Sequence, residues 1–143
     1  MATNQVIVRE SGIGPYGQVV MAGHHVAGAD EPEAAGGRDS GMSPYEYLLA
    51  GLGACTAMTI RMYAERHGWP LEHISVALRH VVEQGAEGPA DRFERRIELV
   101  GGLSDEQRQR LLGIAEKCPV SRSLQRAARV VSELALPVVP PGG

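Results

Sequence analysis

Residues 43–68 read SPYEYLLAGLGACTAMTIRMYAERHG, and this stretch decides the fold. Ser43 and Pro44 at its beginning are typical of a helix start, and Gly68 at its end is typical of a helix stop. The first half of the stretch carries a single charge, that of Glu46, whereas a helix on the protein surface would carry more. The pattern therefore predicts a long, buried central helix over residues 43–68.

The predicted helix has two different faces. One contains a cysteine among larger residues, Leu48, Leu52, Cys55, Thr59 and Met62. The other is a stripe of small residues, Ala50, Gly53, Ala57 and Ala64. Because a glycine inside a helix costs about 1 kcal/mol in propensity, the stripe predicts that another backbone approaches the helix closely there.

The composition predicts one globular domain over residues 1–143. The chain is 43% hydrophobic and 22% charged, which is typical of a folded domain. A net charge of −3 gives no basic surface for nucleic acid. No apolar run approaches the ~20 residues needed to span a bilayer, and the N-terminus lacks a signal peptide pattern. We therefore expect a cytoplasmic protein that binds neither nucleic acid nor membrane.

The remaining elements follow from alternation and turn residues. In chain order they are N-terminal strands within 4–28, a Gly- and acid-rich loop over 28–42, strands within 73–100, helices within 104–126 and a C-terminal strand over 127–136. Ser104 and Gln107 have capping-box spacing at the start of the first of these helices. Strands grouped between helices indicate an α+β domain.

Alternation also predicts which residues of the second strand after the central helix face the core. Phe93, Ile97 and Leu99 are predicted to face inward. Glu94 and Glu98 are interleaved with three arginines. We therefore interpret the arginines as part of a solvated face; they are Arg92, Arg95 and Arg96.

Two cysteines, Cys55 and Cys118, are the candidate reactive groups. A buried, inert cysteine is the commoner interpretation of each one alone. However, Cys118 precedes Pro119 and is predicted to cap a short helix, where N–H groups favour a thiolate. If the two thiols meet, one can attack an oxidant and the other can resolve the resulting sulfenic acid as a disulfide.

Other kinds of site find little support in the sequence. His24 and His25 point to opposite sides of a predicted strand, and the other histidines are scattered, so we expect no metal site. The GLGAC segment lacks the Lys-Ser/Thr of a phosphate-binding loop. We therefore expect no metal and no organic cofactor.

The chain resembles the OsmC/Ohr family of osmotically induced and organic-hydroperoxide-resistance proteins. The resemblance rests on two segments in this order and at this separation, SPYEYLLAGLGACTAM at 43–58 and KCPVSRSL at 117–124. It implies an OsmC-like intertwined homodimer, in which long central helices pack against antiparallel sheets shared by both chains. The small-residue stripe on the central helix is compatible with such packing.

The resemblance also implies an activity, a thiol peroxidase that reduces organic hydroperoxides to alcohols in oxidative stress defence. Cys55 matches the peroxidatic cysteine and Cys118 the resolving cysteine, with an external dithiol as reductant. In the peroxidases an N-terminal arginine stabilises the thiolate and a glutamate just after the start of the helix orients it. Here the glutamate is Glu46, one position later, and Arg9 and Arg38 are the arginines that precede the helix.

Two other functions fit the same residues. One is a non-peroxidatic OsmC-like dimer that binds a small apolar ligand or senses redox state. The other is a structural or interaction protein in which both cysteines belong to the core. Titration of the thiols separates these alternatives, because a peroxidase needs one fast thiol of low pKa and a core cysteine is unreactive.

Overall fold

The computed structural model describes residues 4–136. Its strands and helices are β1 (Ile7–Glu10), β2 (Gln18–Ala22), β3 (His25–Ala29), α1 (Pro44–Arg66), β4 (Leu71–Gly85), β5 (Gly88–Gly101), α2 (Asp105–Ala115) and α3 (Pro119–Gln125). A short 3-10 turn, Glu33–Ala35, lies in the loop before α1. The fold is α+β with antiparallel sheets, as predicted.

The N-terminal residues form a three-stranded antiparallel sheet in the order β1-β2-β3. The sequence predicted strands here but missed the turn at Gly23, whose φ of 62° suits glycine, so that one predicted strand is really two. Most of β1 and β3 is exposed.

The loop after β3 is ordered by a single carboxylate. Asp30 is 3% exposed and accepts hydrogen bonds from the backbone N–H groups of Glu31, Arg38 and Ser40 and from the hydroxyl of Ser40. The Ser40 hydroxyl is the main cause that lowers the pKa of Asp30. The loop therefore delivers the chain to the start of α1 in a fixed conformation.

The core lies where α1 crosses the β4–β5 hairpin and α2. Its buried residues are Ile60, Ala64, Leu71, Leu111 and Ala115, with Tyr63, Trp69, Ile74, Ile97, Leu99 and Leu103 packed around them. The buried residues of α1 are Leu52, Gly53, Thr56, Ile60 and Ala64, which follow a helical repeat on one side.

Helix α1 is long, as predicted, but it is only half buried. Met58 and Met62 on the other side are 60% and 55% exposed, because the hairpin and α2 cover one side only. The close approach expected at Gly53 is made by a side chain of the same chain, since a Cβ at Gly53 would lie 2.6 Å from Leu78 Cδ1. Gly53 therefore accommodates strand β4.

The β4–β5 hairpin is longer than the sequence predicted, because a tight turn between Gly85 and Gly88 replaces the loop expected at 85–91. Its register pairs Ile74 with Leu99, Val76 with Ile97, Leu78 with Arg95 and His80 with Phe93. These residues lie on the face toward α1. Phe93, Ile97 and Leu99 are partly buried there, as expected.

The last two helices begin as the sequence predicts. Ser104 Oγ accepts from the N–H of Gln107, and Gln107 Oε1 accepts from the N–H of Ser104, which completes a capping box. Cys118 is the N-cap residue of α3, with Pro119 in its first turn. The strand predicted over 127–136 is absent: these residues have no regular structure, and Val130 and Leu134 are more than nine-tenths exposed. A strand forms only where its N–H and C=O groups pair with a neighbouring strand, and among the described residues no strand pairs with this segment, although both sheets have open edges.

Over residues 4–136, none of the helices combines the length and the apolar character that a bilayer crossing requires.

Candidate active site

The structure brings the two cysteines together. Cys55 lies in the middle of α1 and is partly exposed, whereas Cys118 at the start of α3 is completely buried. Both are free thiols. The thiols are close enough to perturb each other's ionisation. The two cysteines that the resemblance pairs therefore lie next to each other in a single chain, Cys55 partly exposed and Cys118 buried.

The surroundings shift the pKa values of the two thiols in opposite directions. Burial raises the pKa of Cys55, and the neighbouring Cys118 thiol raises it further. Burial alone would also raise the pKa of Cys118. However, the Cys55 thiol, the N–H groups of Ser121 and Val120 and the hydroxyl of Thr56 outweigh burial and lower the pKa of Cys118. The polar groups of the site therefore favour a thiolate at Cys118.

An arginine from β5 contacts residues close to the two cysteines in the chain. The Arg95 side chain is only 12% exposed. Its guanidinium donates to Thr56 Oγ1 at 2.9 Å and to Ser121 Oγ at 3.3 Å, and forms an ion pair with Glu116 Oε1 at 3.3 Å. Thr56 follows Cys55 in α1, and Ser121 is in the first turn of α3 after Cys118. Arg95 therefore connects the two elements that carry the cysteines.

The sequence interpretation of Arg95 as part of a solvated face is wrong. Arg95 is on the inward face of β5 because it alternates in phase with Phe93 and Ile97. Arg92, by contrast, pairs with Glu83 and Glu94 on the exposed side. The signal was available in the sequence, since an arginine in the inward phase of an apolar strand requires polar partners inside.

A cavity of about 850 Å³ opens beside the arginine. Leu48, Leu52, Phe93 and Leu124 provide its apolar wall, and Arg95 and Ser121 lie at its polar end. Cys55 is one turn beyond Leu52 on the same side of α1. The cavity is large enough for an organic molecule with a substantial apolar part.

Aromatic and acidic groups form the other end of the cavity. Tyr45 stacks on His80, with ring centroids 4.1 Å apart and an angle of 8° between the rings. His80 Nε2 lies 2.8 Å from Asp91 Oδ1. These contacts fix the start of α1 against the hairpin, on the far side of the cavity from Arg95.

Glu46, predicted as a catalytic residue, makes a different contact. Its Oε1 accepts from the N–H of Ser43 at 3.0 Å, as part of the capping box that begins α1. This hydrogen bond lowers the pKa of Glu46. Within residues 4–136 Glu46 forms no ion pair with an arginine.

The two N-terminal arginine candidates lie elsewhere in the chain. Arg9 is in the exposed strand β1. The side chain of Arg38 lies against Gly14 in the N-terminal region. In place of an ion pair between Glu46 and an N-terminal arginine, the structure has an ion pair between Glu116 and Arg95 next to the elements that carry the cysteines. Residues 4–136 contain no group of three or more His, Cys, Asp or Glu side chains placed to bind a metal ion.

Comparison with known proteins gives the family. Residues 37–133 match the family model described as OsmC-like protein. A search of curated protein sequences finds no match.

Solved structures with the same fold share little sequence with this chain. An OsmC-like protein from Mycoplasma pneumoniae has 16% identity and a TM-score of 0.73, over 87% of this chain and 88% of that one. The organic hydroperoxide resistance protein OsmC from Legionella pneumophila has 21% identity and a TM-score of 0.66, over 87% and 90%. OhrB of Bacillus subtilis, an organic hydroperoxide resistance protein, has 20% identity and a TM-score of 0.61, over 87% and 91%. The matched model covers well over half of the chain, from the loop before α1 to beyond α3, and the chain therefore belongs to the OsmC-like protein family.

Proposed function

We propose that this protein is a thiol-dependent peroxidase that reduces organic hydroperoxides to alcohols. The observation that carries the proposal is the pairing of a partly exposed Cys55 with a buried Cys118, close to a cavity that is lined by apolar side chains together with Arg95, Asp91 and Glu116. Two family members of the same fold are named as organic hydroperoxide resistance proteins. The proposed setting is the reducing cytoplasm, in defence against oxidative stress.

The proposed reaction uses the two sulfurs in turn. The Cys55 sulfur attacks the terminal oxygen of the hydroperoxide, the O–O bond breaks, and the alcohol leaves after taking up a proton. Cys55 is then a sulfenic acid. Cys118 attacks its sulfur, a disulfide forms, and the sulfenic oxygen leaves as water.

An external dithiol completes the cycle. It reduces the Cys55–Cys118 disulfide to two thiols and is itself oxidised to a disulfide. The more exposed sulfur, Cys55, is the one such a reductant can reach, and Cys118 then becomes the leaving thiolate. The cysteine pair gives two electrons to the hydroperoxide, and the dithiol gives two electrons back to the cysteine pair. The proposed reaction therefore requires no metal and no organic cofactor.

We also propose that the protein is a homodimer. The N-terminal sheet, the Met58 side of α1 and the segment 127–136 all expose apolar residues in the single chain. A second copy would cover these surfaces and would offer segment 127–136 an edge to pair with.

Ligand binding without peroxidase activity is the second candidate function, because the cavity beside Arg95 has room for a small organic molecule. In that case the thiols would stay reduced when a hydroperoxide is added. The two functions therefore differ in the fate of Cys55.

Hydroperoxide consumption tests the proposal. Purified protein with dihydrolipoamide as reductant should consume cumene hydroperoxide faster than hydrogen peroxide. Cys55→Ser should abolish turnover, whereas Cys118→Ser should react once and stop as a sulfenic acid. Absence of turnover with both thiols still free would contradict the proposal, and so would full turnover by Cys55→Ser.

A further inference from the structure

The cavity beside Arg95 has a far end that the proposed reaction does not use. This end is formed by Tyr45 at the start of α1 and by Asp91 and Phe93 on β5. Asp91 alternates in phase with Phe93 and Arg95, so that it belongs to the inward row of the strand. The Asp91 carboxylate therefore faces a molecule in the cavity as well as its hydrogen-bond partner, His80.

Two separations along the chain show how far this end lies from the cysteine. Asp91 is four residues before Arg95 on β5, which corresponds to about 13 Å along a strand. Tyr45 is ten residues before Cys55 on α1, which corresponds to about 15 Å along a helix. The wall between the two ends is mostly apolar. A molecule that reaches from Cys55 to the far end is therefore elongated, with a reactive end, an apolar body and a far group.

The charges that line the cavity are balanced at one end and unbalanced at the other. Near Arg95, the carboxylate of Glu116 forms an ion pair with the guanidinium at 3.3 Å, so that the two charges offset each other. At the far end, Asp91 Oδ1 lies 2.8 Å from His80 Nε2. An uncharged histidine donates a hydrogen bond there and leaves the negative charge in place. Among the residues that the structure describes, no lysine or arginine pairs with Asp91.

Aromatic rings surround this carboxylate. The ring of Tyr45 is stacked on that of His80, with centroids 4.1 Å apart, and the ring of Phe93 is 5.0 Å from that of His80. Tyr45 is 49% exposed, so that part of its ring is open to a ligand. Aromatic faces attract cations, and a carboxylate next to them adds an attraction between charges. A carboxylate on the ligand would instead be repelled by Asp91.

We propose that this aromatic and acidic end, formed by Tyr45, His80, Phe93 and Asp91, is a subsite that selects the far group of the substrate by its charge. It favours a positively charged group such as a quaternary ammonium, accepts an uncharged group less well and disfavours a carboxylate. Asp91 is the specificity-determining residue. The substrate class is then an elongated organic hydroperoxide with a cationic or uncharged far end. The inference rests on the proposed peroxidase function for the reacting group, whereas the charge preference can be measured by binding alone.

Three probes that differ only in their far group test this preference. Each is a cumene hydroperoxide with a para chain long enough to reach Asp91 from Cys55, and the chain ends in a trimethylammonium, a methyl ester or a carboxylate. The matching alcohols cannot oxidise a thiol and serve for calorimetric binding to the reduced parent protein. At low ionic strength and about pH 8, where a histidine is ordinarily uncharged, the ammonium alcohol should bind about tenfold more tightly than the carboxylate alcohol. The ester alcohol should lie between them.

Asp91→Asn tests the assignment, because asparagine keeps the size of the side chain and an oxygen acceptor for His80 but carries no charge. The ratio between the ammonium and carboxylate alcohols should fall to about threefold or less. Glu98→Gln removes the same charge from the outer face of β5, and this matched control should keep the parent ratio. If Asp91→Asn does not fold, added salt gives the test in the parent protein, where it should lower the ratio.

Binding and turnover separate this inference from the proposed function. The subsite would be overturned by equal binding of the ammonium and carboxylate alcohols, by tighter binding of the carboxylate, or by a ratio that neither Asp91→Asn nor added salt lowers. Each of these results would overturn it even in a protein that consumes all three hydroperoxides. The expected ratio in a protein that consumes none of them would support the subsite and contradict the peroxidase.

Discussion

Among the single residues of the site, the glutamate that pairs with an arginine is not the one that the resemblance implied. Glu116, at the end of α2, forms an ion pair with Arg95 at 3.3 Å. Glu46, which the resemblance implied as the partner of an arginine, accepts a hydrogen bond from the N–H of Ser43 instead. A glutamate one position further along a helix is rotated by ~100°, so the shift noted in the sequence has a structural consequence. The Glu46 carboxylate caps the N-terminus of α1.

Glu46→Gln tests this assignment, because glutamine also completes a capping box but carries no charge. We expect thermal stability close to that of the parent and turnover changed by no more than about twofold. Glu46→Ala removes the cap and should cost about 1 kcal/mol in unfolding free energy. A tenfold or greater loss of turnover in a fully stable Glu46→Gln variant would return Glu46 to a catalytic role.

The pH dependence of the first reaction step follows from the raised pKa of Cys55, which is caused first by burial and then by the neighbouring Cys118 thiol. The Cys55 thiolate is present above this pKa and is lost as the pH falls through it. Stopped-flow rates of Cys55 oxidation should therefore fall on that acid limb. Cys118→Ala should move the limb to lower pH, because the Cys118 thiol then no longer raises the pKa of Cys55.

Glu98→Gln, on the outer face of β5, is the control and should leave the limb in place. A limb that Cys118→Ala leaves unmoved would contradict the assignment and show that burial alone raises the pKa of Cys55.

At the scale of secondary-structure elements, α1 and the hairpin fit together through one glycine. Gly53 leaves room for Leu78, so that strand β4 approaches the helix directly over the turn that carries Cys55. The next residue pair of the hairpin, outward from this contact, is His80 and Phe93, and Arg95 is opposite Leu78. The packing at Gly53 therefore sets how far Arg95 reaches toward Thr56.

Gly53→Leu should destabilise the fold by about 1–3 kcal/mol through overpacking against Leu78. Combining it with Leu78→Ala should recover part of that loss, because the smaller side chain vacates the space. Denaturant unfolding of the single and double variants measures the coupling. Additive losses would show that the two side chains do not compete for the same volume.

The sequence predicted the elements well where a local signal exists. The capping box at Ser104 and Gln107, the Ser-Pro start of α1 and the alternation of β4 and β5 depend on neighbouring residues, and each is confirmed. The strand over 127–136 failed because its apolar alternation says nothing about which edge it would join. Arg95 was wrongly assigned to the solvated face because the three arginines were interpreted together as one charged cluster. Alternation along the strand places Arg95 and Arg96 on opposite faces.

In the molecule as a whole, the single chain leaves large apolar side chains exposed. One side of α1 carries no charge near the middle of the helix, and Met58 and Met62 on that side are exposed to solvent. The small-residue stripe predicted a helix partner at Gly53, but that contact is intramolecular. Contacts between chains leave no local pattern in one sequence, so that the dimer rests on the family resemblance and on these exposed surfaces.

Met58→Asp tests the proposed dimer, since a charge buried between two helices without a partner is strongly unfavourable. We expect the variant to sediment as a monomer or to lose its fold, whereas the parent sediments as a dimer. Gln84→Asp, which adds the same charge near the tip of the hairpin, should remain dimeric. A dimeric, stable Met58→Asp protein would exclude this side of α1 from the interface.

The mass of the reduced protein after one equivalent of cumene hydroperoxide shows whether the two cysteines react. The parent chain should lose two hydrogens, and peptide mapping should find Cys55 joined to Cys118. Cys118→Ser should instead gain one oxygen on Cys55, which dimedone traps as a sulfenic acid. An unchanged mass, with both thiols still open to alkylation after unfolding, would contradict the claim that this cysteine pair reduces hydroperoxides.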